Sequence, residues 1–421
     1  MTLGQRVKGG GAVAHEDRRW RAAVGPAWVE VDLDAVAANV RWIRRLVGPG
    51  CRVMAVVKAN AYGHGALPVA TAALGAGADA LGVSTVAEGL ALREAGVVAP
   101  LLVFTPARPA DLAPAVEAGL TLAVVSADGA EMLAEAAAAA AVRASAHVKY
   151  DTGMGRYGFA RGELDGALPR LRAAGDAVRW EGVFTHFARG AHVGATAQQL
   201  ARFLEMVRAA EAAGLRFEVR HAAASAAAIR LPAARLDMVR VGTLMYGDVP
   251  AGVGPIPELR RVFAFRAEAT QLRVVPRGAA VGYGSQWRAP RPTRVAVIPV
   301  GYADGFDVTP AGPYRRPATL LRALARAVLE RMGWGRRLGA GLAQVTWAGV
   351  TVPVLGRVGM QQLCVDCGAI PDAALESPAE LHVRATAVSA HVSRVYLRDG
   401  TVQYAATPLG RIDVHVGARP T

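Results

Sequence analysis

One lysine stands where its amine could do covalent chemistry. Lys58 ends the apolar run Met54-Ala-Val-Val57 and precedes the polar, glycine-containing segment Ala59–Gly65. Lysine occurs elsewhere only at positions 8 and 149, although the chain has 48 basic residues. An ε-amine can lose its proton and attack a carbonyl, whereas guanidinium stays protonated. Lys58 is therefore predicted to form a Schiff base with pyridoxal phosphate (PLP). The alternative is a strand-end lysine whose amine only reaches for solvent.

A second group of residues is suited to hold a phosphate. Gly242 and Thr243 follow an apolar run, and Ser225 lies near the start of a helical segment. Glycine lets backbone amides approach an anion closely, and barrels often bind phosphate after their seventh and eighth strands. A structural turn would explain Gly242 equally well.

The strands that position these residues alternate with helices. Eight β-rich runs alternate with Ala/Leu/Arg-rich helical stretches such as Gln198–Ala213. This pattern predicts an α/β fold with a (β/α)8 TIM-like barrel. Catalytic groups of such barrels gather at the C-terminal strand ends, where Lys58, Asp151–Arg156, His186 and Arg240 fall. The predicted strands are Arg52–Val57, Ala80–Val83, Pro100–Phe104, Thr121–Val125, Ala146–Tyr150, Trp180–Thr185, Arg216–His221 and Asp237–Val241.

The sequence divides into three predicted regions. Residues 1–26 read as a loose N-terminal tail, residues 27–261 as the PLP-binding barrel, and residues 262–421 as a mainly β C-terminal domain. The last region has frequent Val, Pro and Gly and short extended runs such as Val295–Val300. A helical insert is expected near residues 315–335, because Leu320, Leu321, Leu324, Val328 and Leu329 share one helical face.

Composition narrows the classes of partner. The net charge of +14 raises the question of nucleic acid, but the arginines are scattered and no basic block is interleaved with aromatics. We expect no nucleic-acid partner. Cys364 and Cys367 would point to opposite faces of a strand, so no metal site is expected. No apolar run approaches the roughly 20 residues of a membrane span. The protein is expected to be cytoplasmic, with no membrane partner.

The segment Ala55–Ala66, AVVKANAYGHGA, resembles the signature of alanine racemases. The resemblance covers most of the chain from Ala27 to about Asp366. It implies PLP as cofactor, a barrel followed by a β domain, and a homodimer whose active sites are shared between subunits. The matching motifs are Trp28–Leu33, Lys149–Arg156, Thr185–Ala188, Val239–Gly242, Tyr246-Gly247, Val281–Gly284 and Gly301–Gly305.

The resemblance also implies catalytic roles. Lys58 would hold PLP and act as one base, and the partner subunit's Tyr283 would be the other base. Two bases suit racemisation, because the Cα proton leaves one face and returns on the opposite one. Arg240 would face the pyridine nitrogen of PLP. Since arginine cannot accept a proton there, proton exchange is favoured over decarboxylation.

Binding roles follow from the same resemblance. Arg156 would bind the substrate carboxylate with its fork of donors, and Met360 would do so through its backbone amide. Lys149 is a possible carbamylated lysine that orients Arg156. Tyr302 and Arg357 would line the substrate access channel. Cofactor contacts are implied for Lys58, Tyr62, His186, Ser225, Arg240, Gly242 and Thr243.

Several positions depart from the family pattern. Ala224 stands where an asparagine is usual, and Gln361 stands where an aspartate follows the methionine. The segment Arg189–His192 replaces a usually acidic stretch. The C-terminal tyrosine that touches the phosphate is not recognisable, and Val416 is the nearest position.

The resemblance therefore implies a PLP-dependent alanine racemase that interconverts L- and D-alanine and supplies D-alanine for peptidoglycan. One alternative is a PLP-dependent racemase of another small or basic amino acid. The other is a non-catalytic PLP-binding protein.

Overall fold

The chain forms two compact units. A computed structural model describes residues 19–308 and 344–413. Of these described residues, one unit comprises residues 33–262, and the other joins residues 19–32 with residues 263–308 and 344–413. The insert expected near residues 315–335 and the position Val416 lie outside the described residues. Among the helices of the described ranges, none has the length and apolar character to cross a membrane.

Ten α-helices and twenty-two strands are assigned within the described residues. The helices are α1 (Arg19–Val24), α2 (Leu33–Val47), α3 (Lys58–Tyr62), α4 (Ala66–Gly75), α5 (Val86–Glu94), α6 (Pro109–Glu117), α7 (Ala127–Ala139), α8 (Arg161–Ala173), α9 (Val193–Ala212) and α10 (Ser225–Arg230). The strands up to residue 262 are β1 (Ala27–Asp32), β2 (Arg52–Val56), β3 (Ala80–Val83), β4 (Leu101–Val103), β5 (Thr121–Val124), β6 (Ala144–Lys149), β7 (Val178–Phe184), β8 (Val219–His221) and β9 (Met238–Val241). The later strands are β10 (Phe263–Ala267), β11 (Gln271–Val275), β12 (Ala280–Val281), β13 (Trp287–Arg288), β14 (Thr293–Ile298), β15 (Gln344–Trp347), β16 (Val350–Val352), β17 (Val354–Leu355), β18 (Leu363–Asp366), β19 (Ala379–His382), β20 (Ser393–Arg398), β21 (Thr401–Thr407) and β22 (Gly410–Asp413).

The unit of residues 33–262 is a parallel barrel. Its eight strands pair in the order β8-β7-β6-β5-β4-β3-β2-β9. The amide of Arg240 donates to Ala223 O at 3.0 Å, and the amide of Asp237 donates to Arg220 O at 3.1 Å, which brings β9 beside β8 and closes the ring. All residues of β3, β4 and β5 are buried, as expected for parallel strands covered on both faces. The predicted barrel is confirmed.

Helices cover the barrel through apolar faces and local caps. In α2 the buried residues Leu33, Val36, Val40 and Ile43 recur at three- and four-residue spacing, which places them on one face. Ser126 caps α7 by accepting a hydrogen bond from the amide of Gly129 at 3.1 Å. Sequence-local signals therefore set where these helices begin and which side they bury.

The second unit is mainly β. Its large sheet has the order β16-β15-β19-β10-β1-β20-β21-β22, and a four-stranded sheet has the order β11-β14-β18-β17. A short hairpin joins β12 and β13. The predicted β-rich second domain is confirmed for the described residues.

Two of the predicted domain boundaries need correction. The strand Ala27–Asp32 was placed with the barrel, but it pairs antiparallel with β10 and parallel with β20 in the centre of the β sheet. Glu30 of this strand also pairs with Arg266 of β10 at 3.0 Å. Hydrogen bonds to β10 and β20, which lie far along the chain, place β1 in this sheet. The position of β1 in the sequence gives no sign of these bonds.

The second correction concerns the expected N-terminal tail. Its last residues form α1, whose Trp20 and Val24 pack with Trp28 in a buried cluster of the β unit. Arg21 of this helix pairs with Glu268 at 2.7 Å. Trp20 and Val24, four positions apart, form the apolar face of this helix. Because their neighbours in the sequence are charged, the segment was predicted to be a loose tail.

Candidate active site

Lys58 begins α3 at the C-terminal end of β2, and this short segment is a left-handed turn and not a regular α-helix. The four residues that follow it, Ala59, Asn60, Ala61 and Tyr62, have φ between 52° and 55°. A left-handed turn of non-glycine residues costs about 1–2 kcal/mol per residue. Such strain persists only where the surroundings enforce it, and it is concentrated at functional sites.

The contacts that hold this turn come from several elements. The carboxylate of Glu88 accepts a hydrogen bond from the amide of Ala59 at 2.6 Å. The amide oxygen of Asn60 accepts from the amide of Ala66 at 2.8 Å. The buried ring of His64 stacks on Tyr246 with centroids 4.4 Å apart. The turn that carries Lys58 is therefore held by a local bond within the segment and by Glu88 and Tyr246, which lie far from it in the sequence.

Glu88 is a positioning residue that sequence reasoning missed. It completes a capping box at the start of α5 with Thr85, and its other oxygen accepts from the amide of Ser84 at 2.7 Å. A threonine followed three residues later by a glutamate is a helix-start signal, and this signal could have been found. The hydrogen bond between Glu88 and the amide of Ala59 could not have been found from the sequence, because the two residues belong to separate segments.

The barrel brings most of the predicted site residues into one cavity. The volume of this cavity is about 340 Å³. The neighbouring aromatic side chains of Phe104, Phe184 and Phe187 also line it. The predicted site residues in its wall are Lys58, Tyr62, Lys149, Arg156, His186, Ser225, Arg240, Gly242 and Thr243.

Four cationic side chains share this cavity, and they change the titration of the two lysines. Burial, followed by the charges of Arg156 and Arg240, lowers the pKa of Lys58, while Glu88 acts in the opposite direction. The same causes lower the pKa of Lys149 to about 8. An amine with a lowered pKa has a larger neutral fraction at physiological pH and is a better nucleophile. The positive field also attracts anionic ligands.

Arg240 is buried and bonded on several sides. Its guanidinium donates to the carbonyl oxygens of Thr185 at 2.7 Å and Ala222 at 3.0 Å. It also bonds Nδ1 of His186 at 3.2 Å and Nδ1 of His221 at 2.8 Å. Burial lowers the pKa of Arg240 to about 9, so the group remains a charged donor at neutral pH.

A chain of buried histidines extends from Arg240. Guanidinium only donates, so Nδ1 of His221 must accept and its proton lies on Nε2. That nitrogen lies 2.8 Å from Nδ1 of His147. Burial, aided by Arg240, lowers the pKa of His147 to about 3 and that of His221 well below its usual value. Both rings are neutral and hold Arg240 in one orientation. Neither was among the predicted site residues.

A small cradle lies at another part of the cavity. The amide of Gly242 donates to Oγ of Ser225 at 3.3 Å. A Cβ on Gly242 would lie 2.6 Å from the hydroxyl oxygen of Tyr62, so only glycine lets this phenol approach the backbone. Hydroxyl and amide donors around such a space suit an oxyanion such as phosphate. The fold therefore brings the predicted phosphate-binding residues together in one place.

Asp151 builds the loop that presents Arg156. Its carboxylate accepts from the amides of Gly153, Met154, Gly155 and Arg156 at 2.8–3.2 Å. Burial alone would raise the pKa of Asp151, but these four bonds outweigh it and the pKa is lowered. The loop is thus closed around one charged side chain, with Arg156 at its end.

Replacing Gly158 with alanine is expected to disturb this loop. Gly158 has φ of +122°, and an added Cβ would lie 2.8 Å from the backbone of Lys149, Tyr150 and Asp151. We expect a loss on the order of 2 kcal/mol in the free energy of unfolding, measured by urea denaturation. The control is Gly162→Ala in α8, where the added methyl meets no atom within 4 Å and should stabilise slightly. Equal stability of Gly158→Ala and wild type would contradict this reading.

Lys149 gives a pH-dependent prediction. Its folded pKa of about 8 lies below the unfolded value of 10.5, so the folded state binds fewer protons between these values. The burial cost is fully present below pH 8 and disappears as the pH rises toward 10.5. Relative to Lys149→Met, wild type should gain on the order of 3 kcal/mol across this window.

This effect is measured as the free energy of unfolding of both proteins at several pH values, in buffers purged of carbon dioxide. Purging is needed because a carbamate on Lys149 would not titrate in this range. Without carbon dioxide, the amine of Lys149 stays free. Parallel pH curves for the two proteins would show that Lys149 is not a buried free amine.

The remaining predicted site residues belong to the β unit. Tyr302 donates its amide to Gly359 O at 3.0 Å, and Ala303 donates to Met360 O at 2.9 Å. A Cβ on Gly282, next to Tyr283, would lie 3.3 Å from the amide of Arg357. Tyr283, Met360 and Tyr302 are 74%, 59% and 51% exposed. The four residues Tyr283, Tyr302, Arg357 and Met360 therefore form a surface cluster, called here the tyrosine cluster.

Two profiles of one protein family match the chain. The profile described as "Alanine racemase, N-terminal domain" matches residues 31–250, and "Alanine racemase, C-terminal domain" matches residues 262–317. The chain belongs to the alanine racemase family. An alanine racemase of Desulfovibrio desulfuricans is 37% identical over 353 residues, which cover 83% of this chain and 87% of the relative. One of Beutenbergia cavernae is 42% identical over 315 residues, covering 73% and 83%.

Solved alanine racemases share the fold. The structure from Streptomyces coelicolor A3(2) has a TM-score of 0.76 at 33% identity and covers 90% of this chain and 100% of its own. The structure from Bacillus anthracis with bound L-Ala-P has a TM-score of 0.76 at 29% identity and covers 91% and 98%. The barrel followed by a β unit is therefore the architecture of the alanine racemase family.

Proposed function

We propose that this protein is a PLP-dependent alanine racemase that interconverts L- and D-alanine. The observation that carries the proposal is the cavity in which Lys58, with its lowered pKa, shares a wall with Arg240, Arg156 and the phosphate cradle. Membership of the alanine racemase family supports the type of reaction. The cavity contains side chains that such a reaction would use. The enzyme would act in the cytoplasm, and its product D-alanine would be used for peptidoglycan.

The residues of the cavity fit PLP. Lys58 offers an amine for the carbonyl of the cofactor, and Tyr62, Ser225, Gly242 and Thr243 offer donors for its phosphate. Arg240 would lie against the ring nitrogen, with His221 fixing its guanidinium. When bound, PLP withdraws electrons from the substrate and makes its Cα–H bond acidic.

The protein's own groups would then move the proton. Lys58 would remove or return it on one face, and the partner subunit's Tyr283 would do so on the other. Arg240 can only donate hydrogen bonds, so beside the ring nitrogen it would offer no proton acceptor and would restrict the cofactor to the weaker electron withdrawal that proton exchange requires. Arg156 would hold the substrate carboxylate, aided by the backbone amide of Met360.

A homodimer with shared sites is part of the proposal. Tyr283 is 74% exposed, although a base must be shielded from water to act selectively. An exposed tyrosine cluster is what a site completed by a second subunit would present. Tyr302 and Arg357 of this cluster would line the access channel.

Lys149 would act through Arg156 as a carbamate. The amine is buried, and repulsion from Arg156 contributes to its lowered pKa. A carbamate would replace this repulsion with an attraction and fix the guanidinium that receives the substrate.

One experiment tests the reaction and the covalent site together. The purified protein is incubated with PLP, reduced with borohydride and mapped by peptide mass, while a chiral assay follows alanine, serine and lysine. We expect a label on Lys58 and racemisation of alanine. Racemisation of serine or lysine without alanine would change the substrate, and a label on Lys58 without any exchange would favour a non-catalytic PLP-binding protein.

A further inference from the structure

Helix α9 carries a glutamine on its buried face. Gln199 is 6% exposed, and the surrounding positions Thr196, Leu200 and Phe203 are also buried. Burying an amide costs free energy unless its polar atoms are hydrogen-bonded, whereas an apolar side chain would pack at no such cost. The bonds that Gln199 makes therefore indicate its role.

Gln199 joins two loops that carry residues of the candidate active site. Its Oε1 accepts a hydrogen bond from the amide of Ala188 at 3.1 Å, and its Nε2 donates to Oγ1 of Thr152 at 3.3 Å. A backbone amide only donates, so it fixes which end of the glutamine amide faces Ala188. Ala188 lies two residues after His186, and Thr152 belongs to the loop that presents Arg156. We call this pair of hydrogen bonds the glutamine bridge.

The glutamine bridge continues to Arg240 through two buried threonines. The hydroxyl oxygens of Thr152 and Thr185 lie 2.8 Å apart. The carbonyl oxygen of Thr185 accepts from the guanidinium of Arg240 at 2.7 Å. A series of buried hydrogen bonds thus runs from Gln199 through Thr152 and Thr185 to an arginine in the cavity wall.

Helix α9 also packs directly on the loop of Arg156. A Cβ on Gly153 would lie 3.5 Å from Nε2 of Gln199, and Nη1 of Arg202 donates to the carbonyl oxygen of Thr152 at 3.3 Å. The bonds to the Asp151 carboxylate close this loop on itself, whereas the bonds from α9 attach it to a helix of the barrel. The glutamine bridge therefore sets where the closed loop sits relative to the chain after β7.

We propose that Gln199 is a positioning residue for racemisation, which holds the loop of Arg156 against the loop of His186. Gln199 is outside the described wall of the cavity, so it acts through Thr152 and Ala188. The inference rests on the proposed function, because Arg156 is taken to bind the substrate carboxylate. A group that is already in place binds its ligand at a lower entropy cost, and a displaced group loses this advantage.

The test removes each end of the bond between Gln199 and Thr152 and measures KM and kcat for L-alanine. Gln199→Met keeps the unbranched side chain and removes both bonds, and Thr152→Val keeps the shape and removes the hydroxyl. Each variant should raise KM by about 10-fold and change kcat by less than about threefold, because the carboxylate contact weakens while both bases remain. PLP affinity should be unchanged, since the phosphate cradle belongs to other elements of the barrel.

A double variant separates action through the bridge from a general loss of stability. If Gln199 acts through Thr152, Gln199→Met combined with Thr152→Val should raise KM no further than either change alone. Gln198→Met is the matched control, since it makes the same change at the neighbouring, exposed position of α9. This control should leave KM, kcat and PLP affinity unchanged.

Hydrogen exchange of the apoprotein measures the bridge without the reaction. The amide of Ala188 should exchange about 10-fold faster in Gln199→Met than in wild type, because it loses its acceptor. Exchange at Ala188 should be the same in Gln198→Met and wild type.

Three outcomes would overturn the inference. KM could stay at the wild-type value in both single variants while wild type racemises alanine. The two changes could multiply to about a 100-fold rise in KM, which would show that the residues act independently. PLP affinity could fall as much as KM rises, which would assign Gln199 to the stability of the barrel alone. If wild type racemises no amino acid, the proposed function fails, and exchange at Ala188 still shows whether the bridge forms.

Discussion

Replacing Lys58 with alanine is expected to lower racemase turnover by about 10⁴-fold or more. The substitution removes the amine that would hold the cofactor and the base on one face at once. The lowered pKa of Lys58 indicates that burial and two neighbouring arginines prepare this amine for both tasks. Turnover in each direction is measured by chiral chromatography, and borohydride labelling should leave no cofactor on the protein.

Lys58→Arg is the matched control for charge. It keeps a cation at this position, but guanidinium neither loses its proton at neutral pH nor forms the covalent bond. We therefore expect Lys58→Arg to be as inactive as Lys58→Ala. A cofactor label on Lys149 in Lys58→Ala, or substantial turnover in Lys58→Arg, would remove Lys58 from its proposed role.

The barrel could be predicted because its signals are local. Strands such as Ala80–Val83 are short apolar runs between helical segments, and the observed strand has the predicted bounds. The C-terminal strand ends then placed Lys58, Arg156, His186 and Arg240 in one region, and all four line the same cavity. Parallel barrels fix this relation, so no side-chain contact had to be known in advance.

Other features depend on contacts that no short segment contains. The left-handed turn at Ala59–Tyr62 opposes the backbone preference of its residues, and it is held by Glu88 from another helix. The chain from Arg240 through His221 to His147 joins three strands. Likewise, β1 is placed by ladders to β10 and β20, which lie more than two hundred residues further along. The sequence identifies such residues only after the fold brings them together.

Replacing Tyr283 with phenylalanine is expected to lower racemisation by about 10²- to 10⁴-fold, the usual contribution of a general acid or base. PLP binding should be retained, because Tyr283 belongs to the β unit and the cofactor donors belong to the barrel. One enantiomer should still exchange its Cα proton with solvent through Lys58, while exchange from the other is lost. Proton NMR of L- and D-alanine in D₂O measures the two exchange rates separately.

Tyr404→Phe is the control, since it removes a phenol hydroxyl from β21 of the same unit and should leave both rates unchanged. Equal loss of both exchange rates in Tyr283→Phe would contradict the assignment of bases to opposite faces. Unchanged racemisation would remove Tyr283 from the mechanism.

The sharing of sites between subunits gives the sharpest form of this prediction. A heterodimer of Lys58→Ala and Tyr283→Phe, isolated with two different affinity tags, would have one site with both defects and one site with neither. Two nearly inactive proteins should therefore give a heterodimer with about half the wild-type turnover per dimer. If Lys58 and Tyr283 of the same subunit formed each site, every site would carry one defect and the heterodimer would stay inactive. Recovery of turnover thus depends on the partner subunit's Tyr283 and on no other arrangement of the two bases.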